Sequence, residues 1–365
     1  MMKKILTIGS GMHDVFMHYE GVETLHLHTK EEDFAYVCMR AGRKIELENL
    51  TYYCGGGATN SAVSFARAGF DVTILCKIGT DQAGAFILNQ LKTEKINTAA
   101  IIQTDTAPTG TAFIIPGPQG NNAIFVHRGA NITLTQSELS EDIIKKSDQL
   151  YITSLSGPTA PLLIPITELA KKHNIPVAAN PGTSQLHAGA DYLKSALSGI
   201  DTLILNSYEA ELLMTSLTIT VPSIEIHYDH HETLPELLKK PLGSATTCFT
   251  LFQFFKQIHA CGPRIIVVTN GAEGVYASDT QSVYFHPSIP IAIVSSIGAG
   301  DAFGSCFVAQ LCNKKPIEDA LRAGVINSAS VITHRGTQTG LLTTDELNRQ
   351  SAALDKTLLK KYPFI

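Results

Sequence analysis

Short apolar runs along the chain alternate with longer stretches in which apolar residues recur every three or four positions. Near the N-terminus, "ILTIGS" and "DVTILCKIG" are typical of buried strands, whereas "TNSAVSFARAG" and "DQAGAFILNQLK" have helical spacing. The alternation resumes at residue 149 with "QLYITSLSG", "PLLIPITELAKKHN", "IPVAANPG", "DTLILNSYEAELLM" and "PRIIVVTNG", and it ends with helical stretches at 298–311 and 316–333. Strands separated by helices predict an α/β fold with a mainly parallel central sheet and helices on both faces.

Two stretches break this alternation. Residues 15–53 alternate polar and apolar positions around turns, and residues 109–128, "TGTAFIIPGPQGNNAIFVHR", have the pattern of a hairpin with Asn and Gly at its turn. Because both stretches flank the glycine-rich "CGGGATN", we expect them to form a small β-sheet that acts as a lid over a ligand cleft. Ordinary edge strands are the alternative interpretation.

These patterns divide the chain into a main α/β domain and the small lid. Residues 1–14, 54–108 and 129–365 are assigned to the main domain, within which residues 217–247 are predicted to be a surface insertion. Exposed apolar strand positions on the lid would allow a second copy to pair with it, which is consistent with a homodimer.

Composition and charge argue against several kinds of partner. The chain has 365 residues, of which 44% are hydrophobic and 17% charged, as expected of a globular enzyme. Its formal net charge is −5 without an extended Lys/Arg block, so neither nucleic acid nor an anionic membrane is an expected partner. The seven scattered cysteines indicate free thiols in a reducing compartment, and we find no signal-peptide core or membrane-length apolar run, so we expect a cytoplasmic protein.

The stretch "SSIGAGDAF", residues 295–303, places small residues directly before a helical run. Glycines at a helix N-terminus would let an anion approach free backbone amides and the positive end of the helix dipole. Asp301 would lie beside that anion, where its carboxylate is suited to take a proton from an attacking hydroxyl. Taken alone, the pattern slightly favours the alternative interpretation, an aspartate that caps a helix after a turn of small residues.

Two further polar elements follow predicted strands. Asp14 comes after the first strand in "IGSGMHD", and "CGGGATN" contains a second glycine cluster with Asn60 at a helix start. Polar groups at the carboxyl ends of strands converge on the crevice where α/β proteins bind ligands. Together with the stretch around Asp301, these elements indicate a ligand site at one edge of the sheet.

Several motifs carry a resemblance to a known family. Residues 55–79 resemble the first signature of the ribokinase-like (PfkB) family of sugar kinases, and residues 295–303 resemble its second, D-T-x-G-A-G-D-x-F. Between them, "NSYEAELL" is similar to the family's N-x-x-E motif, and "VVTNGAEGVY" is similar to its nucleotide-side turn. The order and spacing also match, and the resemblance runs from about residue 4 to about residue 342.

The resemblance implies an ATP-dependent kinase with a ribokinase-like fold, in which Asp301 is the catalytic base. It implies an anion hole made by the amides of Gly298, Ala299 and Gly300. It implies that the hydroxyls of a sugar-like acceptor are held by Asp14, Gly55, Gly56, Gly57 and Asn60. It also implies that Asn206 and Glu209 organise the Mg²⁺ of Mg-ATP through water, and that the nucleotide site is lined by Thr269, Gly271, Gly274 and Asn327.

Two positions depart from the family's pattern, and a third residue outside its motifs is a candidate for substrate binding. Ser295 replaces the leading aspartate of the second signature, in a loop that helps to hold a monovalent cation in relatives, so activation by potassium is doubtful. Gly57 stands where ribokinases often carry lysine, which argues against ribose as the substrate. Arg128, at the end of a lid strand, would either meet an acidic or phosphorylated acceptor or be solvated.

Other chemistries fit the sequence less well. "GSGMHD" has Asp14 where a dinucleotide-binding fingerprint needs glycine or alanine, and no P-loop motif occurs. Cys54 has no histidine close to it in its motif that would activate it as a nucleophile. One cluster contains side chains of the types that bind metals: His227, Asp229, His230, His231 and Glu232. It lacks the pair of histidines four positions apart on a helix that typifies a zinc site, so a solvated loop is the favoured interpretation.

We therefore expect a carbohydrate kinase that transfers a phosphoryl group from ATP to a hydroxyl of a sugar or sugar-like molecule. A nucleoside kinase of the same fold is the alternative among enzymes. A non-catalytic sensor that binds a sugar or a nucleotide is the alternative outside enzymes.

Overall fold

The computed structural model describes residues 2–19, 21–28, 33–39, 41–117, 120, 122–218, 234–244 and 247–364. The strands, numbered in chain order, are β1 (Lys4–Ile8), β2 (Met12–His18), β3 (Glu23–His28), β4 (Asp33–Cys38), β5 (Asn49–Gly55), β6 (Asp71–Leu75), β7 (Lys77–Gly79), β8 (Ile102–Thr104), β9 (Gly110–Pro116), β10 (Asn122–His127), β11 (Gln149–Ile152), β12 (Val177–Ala179), β13 (Thr202–Asn206), β14 (Leu242–Ser244), β15 (Thr247–Phe249), β16 (Ile265–Asn270), β17 (Gly274–Ser278), β18 (Ser282–Pro287) and β19 (Lys360–Pro363).

The α-helices are numbered in the same way. They are α1 (Gly57–Arg67), α2 (Gln82–Thr93), α3 (Glu141–Ile144), α4 (Leu163–Lys172), α5 (Thr183–Leu186), α6 (Ala190–Leu197), α7 (Ser207–Ser216), α8 (Glu236–Lys239), α9 (Leu251–Cys261), α10 (Ala299–Cys312), α11 (Ile317–Ile332) and α12 (Thr344–Ala353).

A nine-stranded sheet forms the centre of the molecule, in the order β19-β18-β17-β16-β13-β12-β11-β1-β6. The strands from β6 to β16 in this order are parallel to one another, and β17, β18 and β19 extend the sheet in antiparallel pairs. Because the parallel strands run in one direction, β1, β11, β13 and β16 all end at the same edge of the sheet. That edge is where ligand-binding loops of α/β proteins meet.

Apolar side chains cover both faces of this sheet. One buried cluster joins the strands to α4, α6, α7 and α9, and includes Ile166, Leu213 and Phe254. The other joins them to α1, α2, α10 and α11, and includes Phe65 and Phe307. Strands buried on both sides need near-continuous apolar sequences, which explains the short apolar runs that mark them in the sequence. The predicted α/β architecture is confirmed.

A separate four-stranded sheet has the order β10-β9-β2-β5. The hairpin predicted within residues 109–128 is present as β9 and β10, and β2 pairs parallel with β9 and antiparallel with β5. The expected domain boundaries at residues 14 and 54 fall inside strands, because β2 already begins at Met12 and β5 continues to Gly55. The movement of this sheet as a lid stays a prediction.

The predicted surface insertion at 217–247 is only partly described. Residues 219–233 and 245–246, and with them the cluster from His227 to Glu232, lie outside the described residues. Residues 234–244 differ from the expected surface segment, since Leu237 and Leu238 of α8 are buried in the central apolar cluster. Tertiary packing places the leucines of "TLPELLKKPL" in the core, which a surface insertion would not require.

Within the described part of the chain, every helix falls short of the length and apolar character that crossing a bilayer requires.

Candidate active site

Helix α10 begins in a backbone arrangement that leaves amides free. Gly298, at its N-cap, has a left-handed φ of +82°, and a Cβ atom there would lie 2.9 Å from Cβ of Thr337. Among the described residues, none accepts a hydrogen bond from the amides of Gly298, Gly300 or Asp301, whereas the Ala299 amide donates to the Ser296 carbonyl at 3.3 Å. The expected anion hole included the Ala299 amide, which is engaged in its own turn, and the free amides are instead those of Gly298, Gly300 and Asp301. Three free amides at the positive end of a helix suit an anion.

Asp301 lies in the first turn of α10, and Asn60 of α1 holds its carboxylate. The Asn60 Nδ2 group donates a hydrogen bond to Asp301 Oδ2 at 2.8 Å. Burial raises the pKa of Asp301, and the hydrogen bond from Asn60 opposes that shift. The carboxylate is therefore oriented and more basic than an exposed aspartate.

Asp14 reaches the same cleft from the small sheet. Asp14 shares one face of β2 with Met12 and Phe16 and is only 5% exposed, and its carboxylate receives no hydrogen bond from any described residue. Burial and, to a lesser extent, the charge of Asp301 raise the pKa of Asp14 to about 7. A buried carboxylate without a donor is costly, so Asp14 is suited to receive hydrogen bonds from the hydroxyls of a ligand.

Gly55, Gly56 and Gly57, at the junction of β5 and α1, serve close packing around this cleft. A Cβ atom on Gly55 would overlap the carboxylate of Asp14, so glycine is needed for that side chain to fit. Gly56 and Gly57 lie against the Ser10 carbonyl and the Thr153 side chain, where a Cβ atom would come within 2.6 Å and 2.7 Å. Their contribution is thus to shape the cleft wall.

Asn206 and Glu209 cap the start of α7. Asn206 Oδ1 accepts a hydrogen bond from the Glu209 amide at 2.8 Å, and Glu209 Oε2 accepts one from the Asn206 amide at 2.9 Å. This capping box is sufficient reason for an N-x-x-E pattern. Burial and the charge of Asp301 nevertheless raise the pKa of Glu209, a setting in which a nearby cation would be stabilising.

These residues meet one requirement of a magnesium site. Glu209 Oε1 is not engaged by the cap, and a carboxylate oxygen is a ligand that Mg²⁺ accepts. In the described part of the chain, no three His, Cys, Asp or Glu side chains are grouped to hold a metal. A Mg²⁺ ion that binds mainly through nucleotide phosphates and water fits this arrangement, whereas a fully protein-bound ion does not.

A cavity of about 450 Å³ adjoins the N-terminus of α10. Thr269, Gly271 and Gly274, at the turn between β16 and β17, line it together with Ala299 and Gly300. Most of its remaining wall is apolar and comes from the segment after β18 and from α11: Ile289, Pro290, Ile291, Ile293, Val325, Ala329 and Ile332. An apolar wall with one end at free amides is suited to a ligand that carries an aromatic base and phosphates.

Asn327 does not line this cavity. It is 2% exposed, its Nδ2 donates to the Ala302 carbonyl at 2.8 Å, and its Oδ1 accepts from the Leu342 amide at 2.9 Å. Its expected place in the nucleotide site is therefore corrected to a structural tie between α10 and the segment after α11. The neighbouring Ser328 lines the cavity instead.

Arg128 directly follows β10. Its Nη1 donates to Ser156 Oγ at 2.6 Å, beyond the end of β11, and among the described residues no carboxylate pairs with it. Arg128 and Ser156 line a small cavity with Ser10 and Ser154. The guanidinium group thus retains donors for a ligand.

Ser295, the departure from the second signature, is fully engaged. It is 1% exposed, and its Oγ accepts hydrogen bonds from Asn122 Nδ2 at 3.1 Å and from the Ile297 amide at 3.4 Å. The Gly120 carbonyl accepts from the amide and the hydroxyl of Ser296. The tip of the β9–β10 hairpin therefore contacts the segment that leads into α10.

Two residues near the site were missed by sequence analysis. Thr337 Oγ1 and Gln338 Nε2 both donate to Asn60 Oδ1, at 2.9 Å and 3.1 Å. They lie almost 280 positions from Asn60 in a polar segment without a recognisable pattern, so no local signal could have identified them.

The sequence matches a known protein family over most of its length. The sequence model described as pfkB family carbohydrate kinase matches residues 24–344. The chain belongs to this family. The expected family and the expected class of enzyme, carbohydrate kinase, are confirmed.

Individual members of the pfkB family resemble the chain over most of its length. A ribokinase of Staphylococcus aureus is 27% identical over 96% of this chain and 100% of its own length. A 5-dehydro-2-deoxygluconokinase of Bacillus anthracis is 28% identical over 83% of this chain and 87% of its own length. The structure of Arabidopsis thaliana ribokinase complexed with ribose and ATP superposes with a TM-score of 0.72 at 18% identity, and covers 96% of this chain and 99% of the other, which shows the same fold.

The raised pKa of Asp14 predicts a pH-dependent stability. Because the folded state favours the protonated form, stability is highest below the unfolded pKa near 4 and is lost as the pH rises through about 7. We expect Asp14→Asn to raise the free energy of unfolding at pH 8 by about 1–3 kcal/mol and to have little effect at pH 4.

Urea unfolding at both pH values checks this expectation, with the exposed Asp105→Asn as the matched control. An equal effect of Asp14→Asn at pH 4 and pH 8 would contradict it.

Proposed function

We propose that this protein uses ATP to phosphorylate a hydroxyl of a sugar or sugar-like molecule, with Asp301 as the general base. One observation carries the proposal: Asp14, a buried carboxylate without a donor, shares a cleft with Asp301, which lies beside free amides at the start of α10. Asp14 is matched to a hydroxyl-bearing acceptor, and the amides are matched to a phosphoryl group.

The proton and the charge would follow separate paths in this arrangement. The reacting hydroxyl would give its proton to Asp301, whose raised pKa improves it as a base while Asn60 keeps the carboxylate oriented. Negative charge on the transferring phosphoryl group would be stabilised by the amides of Gly298, Gly300 and Asp301. Asp14 would orient the acceptor through a second hydroxyl.

The donor would occupy the cavity beside α10. Thr269, Gly271 and Gly274 would lie along the nucleoside, and the apolar wall would contact its base. Glu209 and the Asn206 side chain would approach the phosphates through a Mg²⁺ ion and its water ligands. When bound, Mg²⁺ neutralises phosphate charge and orients the transferring group.

The side chain of Arg128 bears on the class of acceptor. The names of the relatives cover both a neutral pentose and a sugar acid as acceptors. Because Arg128 has no acidic partner among the described residues and shares a small cavity with Ser154 and Ser156, we propose that it binds an anionic group of the acceptor. Nucleosides belong in the same assay, since a ribosyl group offers comparable hydroxyls.

A homodimer stays part of the proposal. Exposed apolar side chains on the small sheet support it: Leu50, Tyr52, Phe113, Ile124, Phe125 and Val126. The cytoplasmic location expected from the sequence stays a prediction.

Substitution of the proposed base should nearly abolish turnover while the protein still binds the nucleotide. We expect Asp301→Asn to lower kcat by about 100- to 10,000-fold, because general base catalysis contributes factors of this size. ADP release with Mg-ATP, across sugars, sugar acids and nucleosides, measures this effect.

The exposed Asp345→Asn on α12 is the matched control and should retain full activity. If the unmodified protein binds ATP yet turns over no acceptor, the sensor alternative replaces the kinase proposal.

Potassium should have little effect on the rate. The side chain at position 295 is buried and its hydroxyl is satisfied by Asn122 and the Ile297 amide, so it leaves no carboxylate to hold a cation there. We expect kcat/KM in potassium and in tetramethylammonium chloride to agree within about two-fold at equal ionic strength. A kcat/KM that is about ten-fold or more higher in potassium chloride would contradict the proposal for Ser295.

Arg128 should distinguish acidic from neutral acceptors. We expect Arg128→Gln to raise KM for a sugar-acid acceptor by about 10- to 100-fold, because a hydrogen bond to a charged group contributes about 1.5–3 kcal/mol. KM for ATP should stay unchanged. Equal effects on acidic and neutral acceptors would assign Arg128 to the structure of the cleft instead.

A further inference from the structure

We propose that Thr337 and Gln338 are positioning residues that orient the Asn60 amide and thereby hold the Asp301 carboxylate ready to accept a proton. The inference rests on the proposed function, since it assigns these residues to the same reaction. Neither residue is expected to touch the substrate, and both act through Asn60.

The direction of the Asn60 amide depends on its partners. Asn60 Oδ1 accepts from Thr337 Oγ1 and Gln338 Nε2, which leaves Nδ2 to donate to Asp301 Oδ2 at 2.8 Å. The reverse orientation would place Oδ1 against a carboxylate and Nδ2 against a hydroxyl and an amide donor. Asn60 is 3% exposed, so water is poorly placed to replace these partners.

The segment that carries the two residues is itself anchored. Arg67 Nη1 donates to the carbonyls of Gln338 and Leu341, both at 2.9 Å, and Glu94 holds the remainder of the guanidinium group with two hydrogen bonds. A guanidinium held by a carboxylate on one side and by two carbonyls on the other has little freedom. Thr337 and Gln338 thus present their donors from a fixed backbone.

Thr337 also touches the start of α10. Its side chain is 1% exposed and lies so close to Gly298 that a Cβ atom there would come within 2.9 Å of Thr337 Cβ. One residue therefore contacts the backbone beside the proposed anion hole and, through Asn60, the proposed base. This double contact is difficult to reconcile with a residue that only fills space.

The segment reaches the small sheet as well. Arg335 Nη1 lies 2.8 Å from Nδ1 of His18 on β2, and a Cβ atom on Gly336 would come within 2.5 Å of the Tyr53 ring on β5. Residues 335–341 therefore contact the small sheet, α1 and the start of α10 together.

The groups around Asp301 determine in which direction its pKa, and with it the pH dependence of kcat/KM, should shift when the Asn60 hydrogen bond is lost. Asp14 on β2, Glu209 on α7 and Tyr151 on β11 all have raised pKa values to which the charge of Asp301 contributes. The hydrogen bond from Asn60 acts in the other direction and lowers the pKa of Asp301. Loss of that hydrogen bond should therefore move the acidic limb of the kcat/KM profile to higher pH.

Two substitutions at one position separate positioning from packing. Thr337→Val keeps the shape and removes the hydroxyl, whereas Thr337→Ser keeps the hydroxyl and removes a methyl group. We expect Thr337→Val to lower kcat about 10-fold, the equivalent of one lost hydrogen bond, and to shift the acidic limb to higher pH with KM for ATP unchanged. Thr337→Ser should keep the unmodified profile.

A second measurement does not depend on turnover. Carbon-13 NMR of aspartate carboxyl groups in the ligand-free protein, with Asp301→Asn for assignment, should show that Asp301 titrates at higher pH in Thr337→Val than in the unmodified protein. This titration tests the positioning role even if no acceptor is turned over. Absence of turnover would count against the proposed function but not against the positioning role. An unchanged titration, or a Thr337→Ser variant as impaired as Thr337→Val, would overturn the inference.

Discussion

The proximity of two carboxylates, buried Asp14 and half-buried Asp301, is the constraint on which the site depends. They come from different sheets, and the charge of Asp301 contributes to the raised pKa of Asp14. Like charges in a poorly solvated cleft are unfavourable unless each finds a donor. Asn60 supplies one to Asp301, while Asp14 has none among the described residues. A ligand with neighbouring hydroxyls would supply the donor that the Asp14 carboxylate lacks.

The position of Asp14 relative to α10 depends on how the small sheet is attached. The hairpin tip contacts the main sheet's side of the cleft through Asn122 and Ser295, and the segment after α11 contacts β2 and β5 through Arg335 and Gly336. Both attachments end within a few residues of the proposed base or its partners. The acceptor side and the phosphoryl side of the cleft are therefore held by the same few contacts.

Local patterns in the sequence were sufficient for much of this account. The order of strands and helices follows from apolar periodicity, and Asp301, Asn60, Asn206 and Glu209 belong to short motifs at element boundaries, where a few adjacent residues determine the geometry. Free amides at the start of α10 were expected for the same reason, but the Ala299 amide bonds within its own turn and the free Asp301 amide was not expected.

What the sequence could not predict depends on contacts between distant residues. Asp14 follows the first strand as expected, but it lies within a strand of the small sheet and not in the main domain, because β2 pairs with β5 and β9. Asn327 was placed in the nucleotide site, and its amide instead joins α10 to Leu342. The contacts of Thr337 with Asn60 and Gly298 exist only once the chain is folded.

A crystal structure with Mg²⁺, a non-hydrolysable ATP analogue and an acceptor identified by turnover would test the central claim most directly. We expect a γ-phosphate oxygen within about 3.2 Å of the amides of Gly298, Gly300 and Asp301. We also expect one acceptor hydroxyl between that phosphate and the Asp301 carboxylate, and another hydrogen-bonded to Asp14. A γ-phosphate away from these amides, or an acceptor that leaves Asp14 without a hydroxyl partner, would contradict it.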